Sequence, residues 1–250
     1  MALRLGLGMA FVQFSIGTVN DLVDAPLDAL VRTGKPLPSG LLTRRQAVAA
    51  FGLCAATGLT AAWSVGGAAL ALALVGLGDG LLYDLKLKGT ALSWLPFAVG
   101  VALVPIYGWW APAGRWSLGL SGVTALALLA GVSLAIGNAL ADTERDERAN
   151  VRSIARALGR DRARGLNALL TATLLTVVLA AGLSPGPSAA AVMLMLTGAA
   201  AASVGLVLMF ERAAGARQAG WEAQAVGYAL LGTGWLWALA GSGALGAGTG

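Results

Sequence analysis

Two sets of oxygen-bearing side chains, 118 residues apart, share one spacing. Asn20, Asp24 and Asp28 follow the pattern Asn-x-x-x-Asp-x-x-x-Asp, and Asn138, Asp142 and Asp146 repeat it. Residues four apart lie on the same face of a helix, so each set stacks one amide and two carboxylates in one direction. Asp21 stands beside the first set as a further candidate ligand. Paired carboxylates with oxygen-only partners suit Mg²⁺, a hard cation that takes one or two carboxylates and fills its other positions with water or phosphate oxygens. Two such clusters have the ligands to hold two or more Mg²⁺ around one diphosphate. Arg32 and Lys35 follow the first set, Arg152 follows the second, and Lys86 and Lys88 lie between them. These would neutralise the remaining phosphate charge, Arg through bidentate contacts and Lys as a point charge. A single carboxylate pair at this spacing recurs by chance on solvated surfaces. Two pairs, each led by Asn and each trailed by basic residues, read as a binding device. The chain has no His and one Cys, Cys54, inside an apolar run. Thiolate or imidazole metal sites, disulfides and any His-based triad are therefore excluded.

The elements that must position these groups are membrane helices. Of the 250 residues 57% are apolar and only 12% charged, against about 25% charged in an ordinary soluble domain. Mean hydropathy is +0.76. Eight apolar runs, about 4–20, 46–65, 67–83, 91–110, 117–141, 166–183, 188–210 and 222–245, are expected to span the bilayer. At 1.5 Å per residue a helix of about 20 residues crosses a hydrocarbon core of roughly 30 Å. The runs are continuously apolar and rich in Ala, Leu and Gly, without the alternation of a β-barrel. The expected fold is all-α: a polytopic transmembrane helix bundle, read as a single domain over residues 1–250, with small residues letting helices approach closely.

Charge then orients the chain. Four loops, at 21–45, 83–90, 142–165 and 211–221, hold 15 of the 17 basic residues, leaving Arg4 and Arg115 for the other side. The positive-inside rule places these loops in the cytoplasm. The net charge of +5 thus reflects orientation, and no nucleic-acid partner is implied. Eleven of the 12 acids fall on the same cytoplasmic side, and Asp79 lies about one turn inside the third span. An ionisable group at that depth is a functional candidate by default; next to Gly78 and Gly80 it is equally placed to reach water or pair with Lys86. Both termini fall outside, an inverted start for a chain with three residues before its first span.

The two acidic sets and their surroundings resemble the UbiA superfamily of intramembrane aromatic prenyltransferases over nearly the whole chain. The family's first motif is similar to Asn20, Asp21, Asp24, Asp28, Arg32, Lys35, Pro36, Leu37 and Gly40, with Lys35 in place of a second Arg. Its second motif is similar to Asp142, Asp146, Arg152, Ser153 and Gly159, with Asn150 standing for a Gly, Arg152 for a Lys and Ile154 for a Thr. A third feature, a Tyr shortly before a Lys, resembles Tyr83 followed by Lys86 or Lys88, with irregular spacing. Nine helices are typical of the family, and the chain looks like that arrangement without its first helix, which would account for the inverted start.

The resemblance implies transfer of a prenyl group from an allylic prenyl diphosphate to a membrane-associated aromatic or lipid acceptor, with Mg²⁺ as cofactor. The active site would face the cytoplasm from the cell (inner) membrane. Asp24, Asp28, Asp142 and Asp146 are then the expected catalytic carboxylates. The metal set is Asn20, Asp21, Asp24, Asp28, Asn138, Asp142 and Asp146, and the diphosphate contacts are Arg32, Lys35, Tyr83, Lys88 and Arg152. Cleaving an allylic carbon–oxygen bond leaves a resonance-stabilised cation and an anion, so the work is charge stabilisation and needs no histidine. Trp63, Trp109, Trp110, Trp116 and Trp221 fall near span ends as interface anchors, whereas Trp94, Trp235 and Trp237 line a tail pocket or pack the core. A phosphatidyltransferase acting on a CDP-activated alcohol would need Gly where Ala25 follows Asp24. A cation-coupled transporter would hold its acids at the midplane on broken helices, and an inactive homologue would have lost them.

Overall fold

The structure is a computed structural model that describes residues 1–31, 33–148, 151–182 and 186–244. Arg32 and Asn150 therefore lie outside the described residues. All regular structure among the described residues is helical. The chain forms two compact units, one of residues 1–88 with 106–114 and the other of 89–105 with the chain from 115 onward.

The first unit begins with α1 (Ala2–Val31), a single 30-residue helix. The expected loop from residue 21 is thus corrected: the helix runs on through Pro26 and carries the whole first acidic set. Proline removes one backbone donor but does not stop a helix whose flanking residues are otherwise held. Here the acids on the last turns are paired with lysines, which makes further helix compatible with burial. α2 (Arg44–Trp63) starts at a capping box in which the Thr43 side chain accepts from the Gln46 amide and Gln46 accepts from the Thr43 amide. α1 and α2 meet backbone to backbone, since a Cβ added at Gly58 would lie 2.9 Å from both the Gly8 oxygen and the Val12 nitrogen. α3 (Gly67–Leu82) runs into a π-helical turn at Tyr83–Leu87. The short α5 (Ala111–Ala113), preceded by a second π-helical turn at Ile106–Trp110, completes this unit and brings in the buried Tyr107.

The second unit contains α4 (Trp94–Pro105), α6 (Leu118–Ala141), the short α7 (Thr143–Arg148) and α8 (Ile154–Leu158), then α9 (Arg160–Gly182), α10 (Ala189–Leu208) and α11 (Ala214–Gly241). Its closest helix pair is built on glycines seven residues apart, Gly198 and Gly205 on α10 and Gly220, Gly227 and Gly234 on α11. A Cβ at Gly198 would sit 2.6 Å from the Gly227 oxygen, and one at Gly227 would sit 2.7 Å from the Gly198 oxygen. Only the absence of side chains permits that approach. The core gathers Val123, Leu134, Leu174, Met195, Leu231 and Trp235.

Among the described residues seven helices are long and apolar enough to cross a membrane, the last of them α10. The eighth expected span falls in α11, whose first half holds Arg217, Gln218, Glu222 and Gln224. Large apolar side chains stand exposed along the helices, among them Leu3, Phe14, Leu53, Leu118, Leu169 and Met193. Water would penalise such a surface and lipid would not.

Candidate functional site

In the first unit, the helical spacing puts Asn20, Asp24 and Asp28 on one face of α1, with Asp21 alongside. Asp24 and Asp28 are buried at 8% and 0% exposure. Isolated carboxylates would not survive there in ionised form, and two lysines supply the compensation. Lys35 Nζ lies 2.8 Å from Asp21 Oδ1 and 2.8 Å from Asp28 Oδ2. Lys88 Nζ lies 2.8 Å from Asp24 Oδ2 and also donates to Asn20 Oδ1. Burial disfavours the Lys35 ammonium, yet hydrogen bonds and charge from Asp21 and Asp28 outweigh it and hold the group above its usual value.

Lys88 owes its position to the π-helical turn. Its amide donates five residues back, to the Tyr83 carbonyl at 2.7 Å, and the wide turn accommodates the irregular Tyr-to-Lys spacing. Such turns recur at functional sites because they re-aim the following side chain. Of the two lysines left open by the sequence, Lys88 reaches the acids and Lys86 is exposed. Asp79 is half-buried on α3 and makes no ion pair with Lys86. Asp84, which sequence reasoning passed over, is 3% exposed and electrostatically coupled to Lys88, Asp24 and Asp21.

The second cluster, in the second unit, straddles a helix end. Asn138 lies in the last turn of α6, Asp142 caps it, and Asp146 lies on α7. The four-residue pattern continues through the junction: the Asp142 amide donates to the Asn138 carbonyl at 3.0 Å and the Asp146 amide to the Asp142 carbonyl at 2.8 Å. Burial pushes the Asp146 carboxyl above its ordinary value; the Ser153 hydroxyl opposes this, the Asp142 charge adds to it, and Arg145 and Arg156 pull back down. Arg152 is exposed and tied by its backbone, its amide donating to the Gly89 carbonyl at 3.2 Å. The basic side chain beside Asp142 is instead Arg145, at 3.6 Å.

Between the two aspartates, Glu144 accepts from Arg160 at 3.0 Å and from the fully buried Arg217. Burial raises the Glu144 carboxyl, but a backbone hydrogen bond and the two guanidinium groups prevail and hold it below its usual value. Nothing local in the sequence marks Arg217, which is 73 residues from Glu144.

An apolar cavity of about 340 Å³ lies within the second unit, lined by Val123, Leu126, Leu134, Leu174, Leu231 and Trp235 among others. Trp235 is one of the three tryptophans considered for a tail pocket; Trp237 is 51% exposed and stands apart from it. Trp221, expected at the interface, donates inward to the Leu134 carbonyl at 3.1 Å.

Among the described residues no three acidic side chains converge as a preformed ion cage. The donor sets nonetheless fit Mg²⁺, which needs few carboxylates when phosphate and water complete its shell. In the first cluster the Lys35 and Lys88 ammonium groups already occupy cationic positions between the acids.

Two digeranylgeranylglyceryl phosphate synthases are similar in sequence. That of Thermococcus kodakarensis is 30% identical over 64% of this chain and 57% of its own length. That of Pyrococcus abyssi is 32% identical over 63% of this chain and 58% of its own. The chain thus spans somewhat over half the length of these relatives. The fold matches an apo UbiA homologue of Aeropyrum pernix with a TM-score of 0.75 at 20% identity, over 94% of this chain and 88% of that one. It also matches a UbiA homologue of Archaeoglobus fulgidus bound to GPP and Mg²⁺, with a TM-score of 0.67 at 17% identity, over 92% of this chain and 87% of that one. Residues 1–222 match the UbiA prenyltransferase family as a whole, and the chain belongs to that family.

Proposed function

We propose that this protein transfers a prenyl group from an allylic prenyl diphosphate to an acceptor in the membrane, using Mg²⁺ bound through its two Asp-rich clusters. The observation that carries this reading is the first cluster, where Asn20, Asp21, Asp24 and Asp28 lie with Lys35 and Lys88 on one helix end. Carboxylates to hold metal and ammonium groups to meet phosphate are what a diphosphate leaving group requires. The homologue bound to GPP and Mg²⁺ supports the same ligand chemistry.

Asn20, Asp21, Asp24, Asp28, Asn138, Asp142 and Asp146 would hold the metal, which when bound draws off negative charge as the carbon–oxygen bond breaks. Lys35 and Lys88 turn from the acids toward the diphosphate oxygens, and Tyr83, Arg32 and Arg152 are further contacts. The carbon–oxygen electron pair leaves with diphosphate, the acceptor supplies the pair for the new bond, and its proton is released. The apolar cavity of the second unit takes hydrocarbon and excludes the water that would otherwise trap the allylic cation. The named relatives point to a glyceryl phosphate lipid as the first acceptor to try, in a multi-pass protein of the cell membrane whose clusters face the cytoplasm.

The test is retention of labelled geranylgeranyl diphosphate by the detergent-purified protein, with and without Mg²⁺, comparing wild type with Asp24→Asn and Asp142→Asn. Retention that needs Mg²⁺ and drops at least tenfold in both variants is expected. Retention indifferent to Mg²⁺ and to both substitutions would overturn the reading. An acceptor screen follows, with glyceryl phosphate lipids set against aromatic acids.

A further inference from the structure

Arg217 belongs to none of the acidic or basic motifs, yet among the described residues it is the largest fully buried side chain. A guanidinium has five N–H donors and no acceptor, and its charge does not titrate away. Burial of such a group is tolerated only where the donors are used. At Arg217 the partners are specific. Nε donates to the Leu140 carbonyl at 3.0 Å, and Nη1 donates to the Glu211 carbonyl at 3.2 Å and to the Arg212 carbonyl. Nη2 donates to Glu144 Oε2.

Leu140 lies in the last turn of α6, two residues before Asp142, and its carbonyl accepts from the Thr143 hydroxyl at 2.8 Å as well as from Arg217. Glu144 lies midway between Asp142 and Asp146. One side chain from the first turn of α11 therefore grips the backbone just before the second cluster and a carboxylate inside it. The Glu211 and Arg212 carbonyls pin the other side of the guanidinium to the α10–α11 connection. The backbone pattern carries through the junction, but the direction of the turn between α6 and α7 needs a brace from outside it, because metal binding depends on ligands held to about 0.5 Å.

We propose that Arg217 is a positioning residue for the second acidic cluster, and that through Leu140 and Glu144 it sets the direction in which Asp142 and Asp146 are presented to metal and diphosphate. This rests on the diphosphate-site reading above. Arg160, on the outer oxygen of Glu144, is an exposed partner at 40% exposure and contributes little, as exposed pairs do.

The test compares Glu144→Gln, Arg217→Lys and Arg160→Gln in the purified protein by three readouts. These are thermal unfolding, hydrogen exchange of the amides of residues 142–148, and the Mg²⁺ concentration giving half-maximal retention of geranylgeranyl diphosphate. Glu144→Gln and Arg217→Lys are expected to speed exchange at least tenfold and raise the Mg²⁺ requirement at least fivefold, with full retention restored at saturating Mg²⁺. Arg160→Gln is expected to stay within twofold of wild type. A Mg²⁺ requirement unchanged in Glu144→Gln overturns the proposal, whether or not Arg217→Lys folds. A purely structural role predicts lost retention that extra Mg²⁺ does not restore, in step with lowered thermal stability, and that result also overturns it. Wild-type protein showing no Mg²⁺-dependent retention refutes the diphosphate reading instead, and the exchange rates then still report whether Arg217 orders the segment.

Discussion

Asp24 and Asp28 are costly residues to bury, and the cost is offset by two ammonium groups at 2.8 Å. Removing one partner of a buried pair leaves an uncompensated charge, at a penalty of about 3–5 kcal/mol when burial is complete. Lys35 is only partly buried, so Lys35→Met is expected to destabilise the protein by roughly 2 kcal/mol, read as a lower thermal unfolding temperature. Lys88 and Lys86 give a sharper contrast. Lys88→Gln is expected to weaken diphosphate retention at least tenfold, about 1.4 kcal/mol, while Lys86→Gln stays within twofold. Equal effects from the two would mean that the π-helical turn does not select between them. The Asn-x-x-x-Asp-x-x-x-Asp pattern was readable because its geometry is local, four residues being one turn. Asp84 was not readable, because only the burial of its turn brings it near Asp24.

At the scale of elements, both clusters depend on how helices end. α1 continues past the expected boundary at residue 21 because its acids are paired in place. α6 stops at Asp142 but hands its hydrogen-bond pattern to α7. The sequence showed only that small residues would let helices approach closely, whereas the seven-residue glycine spacing that joins α10 to α11 emerged with the fold. A leucine at Gly227 would drive a side chain into the Gly198 carbonyl, with a Cβ alone already at 2.7 Å. Gly227→Leu is expected to cost about 3 kcal/mol or more, and a thermal scan in detergent would register it as a large fall in unfolding temperature. Gly232, on the same helix, has nothing within 4 Å of its Cβ position. Gly232→Ala is therefore expected to leave the protein equally stable, or up to about 1 kcal/mol more stable, through helix propensity.

The whole molecule is a multi-pass membrane protein, and the proposed topology puts its basic loops in the cytoplasm. With Cys54→Ala as background, Gly34→Cys is expected to react with an impermeant maleimide only after cells are opened, and Arg115→Cys without opening. The reverse pattern would invert the topology. Metal linkage acts at the same scale. Ligand that binds only the folded, Mg²⁺-loaded protein stabilises it by about 2.7 kcal/mol at 100 times its dissociation constant. Geranylgeranyl diphosphate is thus expected to raise the unfolding temperature with Mg²⁺ present and not after chelation by EDTA.

The sequence alone determined the helical class, most of the apolar spans, the loops that carry charge and the two repeated acidic sets. Each of these follows from spacing or composition within a few turns of chain. The tertiary structure decided the rest: that Lys88 rather than Lys86 meets Asn20 and Asp24, and that Arg217 braces Glu144 from 73 residues away. Those pairings depend on which helix faces meet across the fold, and helix packing is set by shape and burial over the whole unit rather than by any local pattern of residues.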